Sequence, residues 1–246
     1  MSELRNDPIQ RRWVIIATER SQRPDDFKGR RLPPPGGSFC PFCEGHESAT
    51  PREIFALREH GSPNSGGWRV RVIPNKYPAL QVEGNFDPRG DGIYDVMNGV
   101  GAHEVIIESG RHVISLTELD AGHIADALWT YGQRLSDLKR DRRLVYGLIF
   151  KNVGTTAGAT VEHSHSQLIC TPVVPKTVAE EMSRTGKYHR FRGRCLFCDM
   201  VRQEIAQYAR LVKETEGFVA FAPFAARFPF ESWVLPKAHR WHFEET

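Results

Sequence analysis

His163-Ser164-His165-Ser166-Gln167, followed at once by Leu168-Ile169-Cys170-Thr171, decides how this chain is read. Successive side chains of an extended segment point to opposite faces. His163, His165 and Gln167 therefore share one side, and Ser164 and Ser166 the other. The apolar run after them marks a loop entering a strand. Just upstream lies a glycine-bearing turn, NVGTTAGATVE, in which Asn152, Gly154, Gly158 and Thr160 offer backbone N–H groups and a hydroxyl to a phosphate. An imidazole beside such a cradle can attack phosphorus and split one transfer into two displacements. The two histidines can equally be metal ligands or hydrogen-bonded core residues, and spacing alone leaves these readings open.

The chain holds five cysteines in 246 residues, which is not a disulfide framework. Four of them form two C-x-x-C pairs, Cys40/Cys43 and Cys195/Cys198. Cys170 ends an apolar run and reads as a small buried hydrophobe. Zinc prefers four sulfur or nitrogen ligands in a tetrahedron. Cys40 and Cys43 supply two from one tight turn, with His112 and His163 as candidates for the others. Cys195, Cys198 and His239 form a second group of three, whose fourth ligand is expected beyond Thr246 or at His242. Arg20 and Arg23 stand three apart and suit phosphate oxygens, although such a pair is more often a solvated face. Asn75 and Tyr77, in VIPNKYPAL, can hold a base or ribose or form a plain turn. His46, His60, His103, His123 and His189 have no partner recognisable in the sequence and read as ordinary.

Strands are expected at 13–17, 68–73, 103–108 and 144–151. A helix is expected over 116–138, with Ser115 and Glu118 as a capping box and Ile124, Leu128, Tyr131, Leu135 and Leu138 on its core face. Residues 176–192 are charged and read as a connection. A helix over 200–211 and strands at 217–222 and 232–235 follow. The second part echoes the first. Each begins C-x-F-C, each places a glutamate eight residues before a histidine (Glu104/His112, Glu231/His239), and each continues into an acidic helix start. This is an internal duplication, with expected domains at 1–190 and 191–246. The second copy stops where its helix begins, so its last helix and strands are expected to be missing.

The formal net charge is +3, from 33 basic and 30 acidic residues, too balanced to argue for a nucleic-acid or membrane partner. No run approaches the ~18 apolar residues of a membrane helix. The charged N-terminus MSELRNDPIQ lacks an apolar signal segment, and the expectation is a cytoplasmic protein.

The order DPIQRRWVIIATERSQRP, CPFC, VIPNKYPAL, EVIIESGRH and FKNVGTTAGATVEHSHSQ resembles galactose-1-phosphate uridylyltransferase and its relatives in the histidine-triad superfamily. The resemblance runs over nearly the whole chain. It implies an α+β fold of two histidine-triad-like repeats, each an antiparallel sheet with packed helices. It implies that Cys40, Cys43, His112 and His163 bind zinc. His165 would be the nucleophile on the α-phosphorus of a nucleoside-diphosphate sugar, and Gln167 would hydrogen-bond a non-bridging oxygen. Asn152, Gly158 and Thr160 would hold phosphate, Arg20 and Arg23 the nucleotide or sugar phosphate, and Asn75 the nucleoside. It also suggests a homodimer.

The hydrolase branch of the superfamily carries a third histidine where Gln167 stands. An amide cannot titrate, so it stabilises charge without recruiting water. That points to transfer onto a sugar phosphate rather than hydrolysis, and the resemblance implies UDP-glucose and galactose 1-phosphate as substrates. The family commonly has proline and glycine where Ser164 and Ser166 stand. The form HSHSQ and the second C-x-x-C, with Cys195, Cys198 and His239 as a second zinc site, are closer to a branch resembling ADP-glucose:phosphate adenylyltransferase. A reading of another class, a non-catalytic zinc-stabilised module contacting RNA or protein, leaves Gln167 and the 152–160 loop without a purpose.

Overall fold

Alternation along the strands sets up the architecture. The computed structural model describes residues 2–7, 12–16, 39–226 and 229–246. It has the expected α+β class, and the pairings between its strands are antiparallel. Two compact units are present, Met1–Pro175 and Lys176–Thr246.

In the first unit, β1 (Glu3–Asp7), β2 (Arg12–Ile16), β5 (Arg89–Asp91) and β6 (Tyr94–Asn98) form a four-stranded sheet. The site is carried by a second sheet. It is built from β3 (Phe55–Arg58), β4 (Trp68–Pro74), β7 (Ala102–Ile107), β8 (Tyr146–Phe150) and β9 (His165–Thr171), in the order β3-β4-β7-β9-β8. One face packs on helix α1 (Ala121–Leu138). Val70, Val72, Ala102, Ile106, Leu168 and Cys170 meet Ala127 and Tyr131 there. Burying each larger aliphatic or aromatic side chain contributes ~1.5–3 kcal/mol. Cys170 is buried as expected, and burial pushes its thiol up to about 12. The opposite face carries a smaller cluster of Trp68, Ile73, Val105 and Ile107 with Phe42.

The expected helix over 116–138 is interrupted. Ser115 and Glu118 do form a capping box, but it caps a single 3-10 turn, Leu116–Glu118. The α-helix starts afresh behind Asp120, whose carboxylate accepts from the His123 N–H at 2.8 Å. Tyr131, Leu135 and Leu138 face the core as expected, whereas Leu128 is 47% exposed. Its place on the buried face is taken by Ala127, Thr130 and Arg134. Arg134 is there because Glu104 of β7 accepts from its Nε and an Nη, each at 2.8 Å. A buried arginine interrupts the apolar stripe that a periodicity reading follows. Gly147 lets the helix sit close, since a Cβ there would lie 2.6 Å from Leu135 Cδ2.

In the second unit, residues 176–192 form a helix, α2 (Lys176–Arg192), instead of a connection. None of its residues is buried. Its stability therefore comes from good helix formers, the Lys176–Glu180 pair and the basic residues in its last turn. Helix α3 (Leu196–Gln207) begins four residues before the expected 200, with Cys195 at its N-cap. It ends at Tyr208 in the left-handed region, φ +60°. The last residue of the expected helix thus opens β10 (Leu211–Glu214), which pairs with β11 (Phe218–Phe221); β12 (Trp233–Pro236) completes the sheet. Val201, Val219 and Phe221, backed by Trp233 and Leu235, form this unit's core. Among the described residues, no helix is long and apolar enough to cross a membrane.

Candidate functional site

Strand parity sorts the chemistry. In β9, Ser166, Leu168 and Cys170 point towards α1, while His165 and Gln167 lie opposite, paired with Ile107 and Val105 of β7. The open face holds a cavity of ≈ 450 Å³ whose lining includes Phe42, Ile73, Asn75, Tyr77, His165 and Gln167. Thr160 lines it as well. Asn152 lies on a smaller neighbouring hollow that also touches His165. Gly158, at φ +81°, and Gly154, at φ +79°, turn the loop between them through a backbone region that favours glycine. Arg20 and Arg23 lie outside the described residues.

Backbone bonds draw four metal-ligand candidates together. The Glu44 N–H donates to the Gly110 carbonyl at 2.9 Å, tying the CPFC turn to the segment before His112. The Ser164 N–H donates to Val113 at 2.6 Å, tying His163 to the segment after it. Cys40 and Cys43 Sγ each lie 3.6 Å from His163 Nδ1, and Cys43 Sγ lies 3.5 Å from His112 Nδ1. All four ligand atoms fall within 4.8 Å of one another, so the group could hold a metal ion. His163 Nε2 donates to the Ser109 carbonyl at 2.8 Å, which leaves the Nδ1 lone pair aimed at the sulfurs. Burial holds His163 near 4, neutral and ready to ligate. Burial and the neighbouring Cys40 push the Cys43 thiol up to about 11, so two thiolates side by side require a cation.

His165 is oriented by the same device. Its Nδ1 donates to the His163 carbonyl at 2.7 Å, and the carbonyl can only accept. Nε2 is then the unprotonated nitrogen. Phe42 braces the ring edge-on, with centroids 5.2 Å apart.

Glu108 lies behind the strand. It is fully buried and accepts from Lys151 Nζ at 2.5 Å and from the Ser164 and Ser166 hydroxyls, each at 2.6 Å. The Tyr131 hydroxyl donates to it as well. Burial alone would raise the Glu108 carboxyl. The Lys151 charge and the hydroxyls outweigh it and leave the group below its ordinary value. Tyr131 is pushed well above the ordinary phenol range by burial and by that carboxylate. Lys151 also donates to the His165 carbonyl at 3.1 Å. The serines of HSHSQ thus satisfy a buried charge.

Sequence reasoning missed Glu108, Lys151, Tyr131 and His103. His103 Nδ1 accepts from the Ala79 N–H at 2.9 Å, and its Nε2 lies 3.0 Å from Gln167 Oε1. The available signal was parity, since His103 shares the strand face of Val105 and Ile107, opposite α1. It becomes readable only once β7 is paired with β9.

In the second unit, Cys195, Cys198 and His239 come together, with Cys198 Sγ 3.1 Å from His239 Nδ1. His242 is not in this group. It lies 3.9 Å from the Glu244 carboxylate.

Known proteins resemble this chain along nearly its whole length. The family described as galactose-1-phosphate uridyl transferase, N-terminal domain, matches residues 1–175. An ADP-glucose phosphorylase from Arabidopsis thaliana is 40% identical over 245 residues, covering 98% of this chain and 67% of its own. A galactose-1-phosphate uridylyltransferase from Thermotoga maritima is 28% identical over 242 residues, covering 97% and 68%. A solved uridylyltransferase structure superposes with a TM-score of 0.77 at 28% identity, covering 99% of this chain and 69% of that one. The chain spans about two thirds of the length of these relatives.

Proposed function

Because the chain belongs to the galactose-1-phosphate uridyl transferase family, a family of nucleotidyltransferases, we propose that it transfers a nucleotidyl group by double displacement through His165. The observation that carries this is the 2.7 Å bond from His165 Nδ1 to the His163 carbonyl, which turns an unprotonated Nε2 to the cavity. Nε2 attacks the α-phosphorus of a nucleoside-diphosphate sugar. The bond from that phosphorus to the bridging oxygen breaks, and the sugar leaves as its 1-phosphate. An acceptor phosphate oxygen then attacks the same phosphorus and returns the electron pair to Nε2. The Gln167 amide donates to a non-bridging oxygen as charge gathers there. Asn152, Gly158 and Thr160 serve as the phosphate loop. Asn75 and the apolar wall of the cavity take the nucleoside. Arg20 and Arg23 complete the anion contacts.

Zinc suits Cys40, Cys43, His112 and His163. Tetrahedral bonds of ~2.3 Å to sulfur and ~2.0 Å to nitrogen put sulfur and nitrogen ligands ~3.6 Å apart, against 3.5–3.6 Å here. The ion would supply rigidity to the 163–165 segment, because four protein ligands leave no position for water. Cys195, Cys198 and His239 are proposed as a second zinc site. A homodimer is part of the same reading.

Two donor pairs are in play: UDP-glucose with a hexose 1-phosphate, in galactose metabolism, or ADP-glucose with inorganic phosphate. The second is favoured by 40% identity to an ADP-glucose phosphorylase against 28% to a uridylyltransferase. Intact-mass spectrometry after incubation with each donor, without acceptor, tests both. An adenylyl adduct that is lost in His165→Ala supports the adenylyl reading, and a uridylyl adduct moves the assignment to the other donor. No adduct on folded, metal-loaded protein overturns the covalent mechanism.

A further inference from the structure

We propose that His103 is a positioning residue that locks the Gln167 side chain with its carbonyl oxygen turned inward, so that Gln167 offers only N–H to the reacting phosphate. The inference rests on the double-displacement reading above and adds a residue to it.

A backbone N–H is a donor that protonation cannot change. His103 lies on β7 and is 6% exposed. The Ala79 N–H donates to its Nδ1 at 2.9 Å, so Nδ1 carries no proton. The hydrogen of the neutral ring is then on Nε2, which lies 3.0 Å from Gln167 Oε1 and donates to it. Asn75 is fixed in the same way. Its Oδ1 accepts from the Tyr77 N–H at 2.9 Å, which leaves Nδ2 as the end facing Gln167 Oε1, at 3.4 Å. Asn75 Nδ2 and His103 Nε2 lie 3.1 Å apart, both turned to that oxygen. Two donors, each set by a backbone N–H of the 75–79 turn, thus converge on one oxygen. A reversed amide would put NH₂ against both of them and leave a buried donor without an acceptor.

The consequence for chemistry is directional. Gln167 lines the cavity beside His165, two residues further along the same strand face. An amide free to turn would offer its oxygen to the phosphate part of the time, where it would repel the developing negative charge. A locked amide spends none of the barrier on turning. The Asn75 N–H also donates to the His103 carbonyl at 2.9 Å, so His103 helps hold the turn. The test must separate the two roles.

His103→Asn makes that separation. Its side-chain oxygen can take the place of Nδ1 and accept from Ala79, but nothing in it reaches Gln167. With saturating donor, single-turnover nucleotidylation of His165 is expected to slow by about 10–100-fold, with donor affinity unchanged. In a Gln167→Ala background the same substitution is expected to cause no further loss, because its target is gone. His103→Gln, whose amide can replace Nε2 as donor, is expected to recover most of the rate. An unchanged rate in His103→Asn overturns the assignment, and so does an equal loss with and without Gln167. If His103→Asn does not fold, His103→Gln decides alone: a rate near wild type supports the role, and a loss as large as that of Gln167→Ala overturns it. The absence of any adduct on the wild-type protein overturns the covalent reading itself and the assignment with it.

Discussion

The chain contains the motif C-x-F-C twice, and the two copies are placed very differently. Cys40 and Cys43 sit in a turn outside any helix or strand, and their partners His112 and His163 come from segments about 70 and 120 residues away. Cys195 caps helix α3, Cys198 lies in its first turn, and His239 is exposed. Cys40 and His163 are buried, and His163 Nε2 and His165 Nδ1 each donate to a backbone carbonyl, of Ser109 and of His163. The first group joins distant segments at the start of strand β9. The second ties a helix to the loop that follows its own small sheet. The same local motif therefore identifies a metal-ligand turn without saying what depends on it. That is set by where the remaining ligands come from.

Substitutions at the two groups should pull them apart. Cys40→Ser is expected to release metal and to slow His165 nucleotidylation by more than about 10³-fold, since the binding energy of a structural site, ~10 kcal/mol, is also folding energy. Cys195→Ser is expected to lose only the metal of the second group and to leave nucleotidylation within a few-fold of wild type. Metal content by mass spectrometry alongside single-turnover rates checks both, and equal losses of rate would erase the distinction.

Each unit also buries glutamate, Glu108 most completely in the first and Glu204 in the second. Glu108→Gln leaves Lys151 without its carboxylate and is expected to cost about 3–5 kcal/mol in chemical denaturation. Glu204, held by the partly exposed Arg210, is expected to cost less on the same change, about 1–3 kcal/mol. Acid should bring out the first effect. The Glu108 carboxyl lies below its ordinary 4.5 in the folded protein. Its contribution is therefore complete above that pH and is lost as the pH falls through the lowered value. Denaturation midpoints against pH should show an acid limb that is reduced in Glu108→Gln.

The smallest expected effect concerns helix α1. Leu128→Ser should change stability by no more than about 0.5 kcal/mol, whereas Leu135→Ala should cost about 2–5 kcal/mol. A large effect at Leu128 would return the helix to the orientation its apolar spacing suggests.

That contrast shows what could be read in advance. The parity of HSHSQ, both C-x-x-C groups and most strands were legible because they depend on spacing within a few residues. Leu128 misled because Arg134, drawn inward by Glu104, turned the helix. Helix α2 was hidden by its lack of a buried face, and β10 by its nearness to the end of α3. Glu108 and His103 stayed silent because their partners are fixed by the pairing of β7 with β9, across about 60 residues of chain.

That pairing carries one more consequence, for folding rather than for reaction. Shifting β9 by a single residue would exchange its faces, sending His165 towards α1 and a serine into the cavity. Glu108 would then meet imidazoles in place of hydroxyls, and His163 would turn away from the cysteines. A misaligned strand could not hold an ion at Cys40, Cys43, His112 and His163. A metal bound there during assembly would therefore select the one alignment that also puts His165 and Gln167 on the cavity.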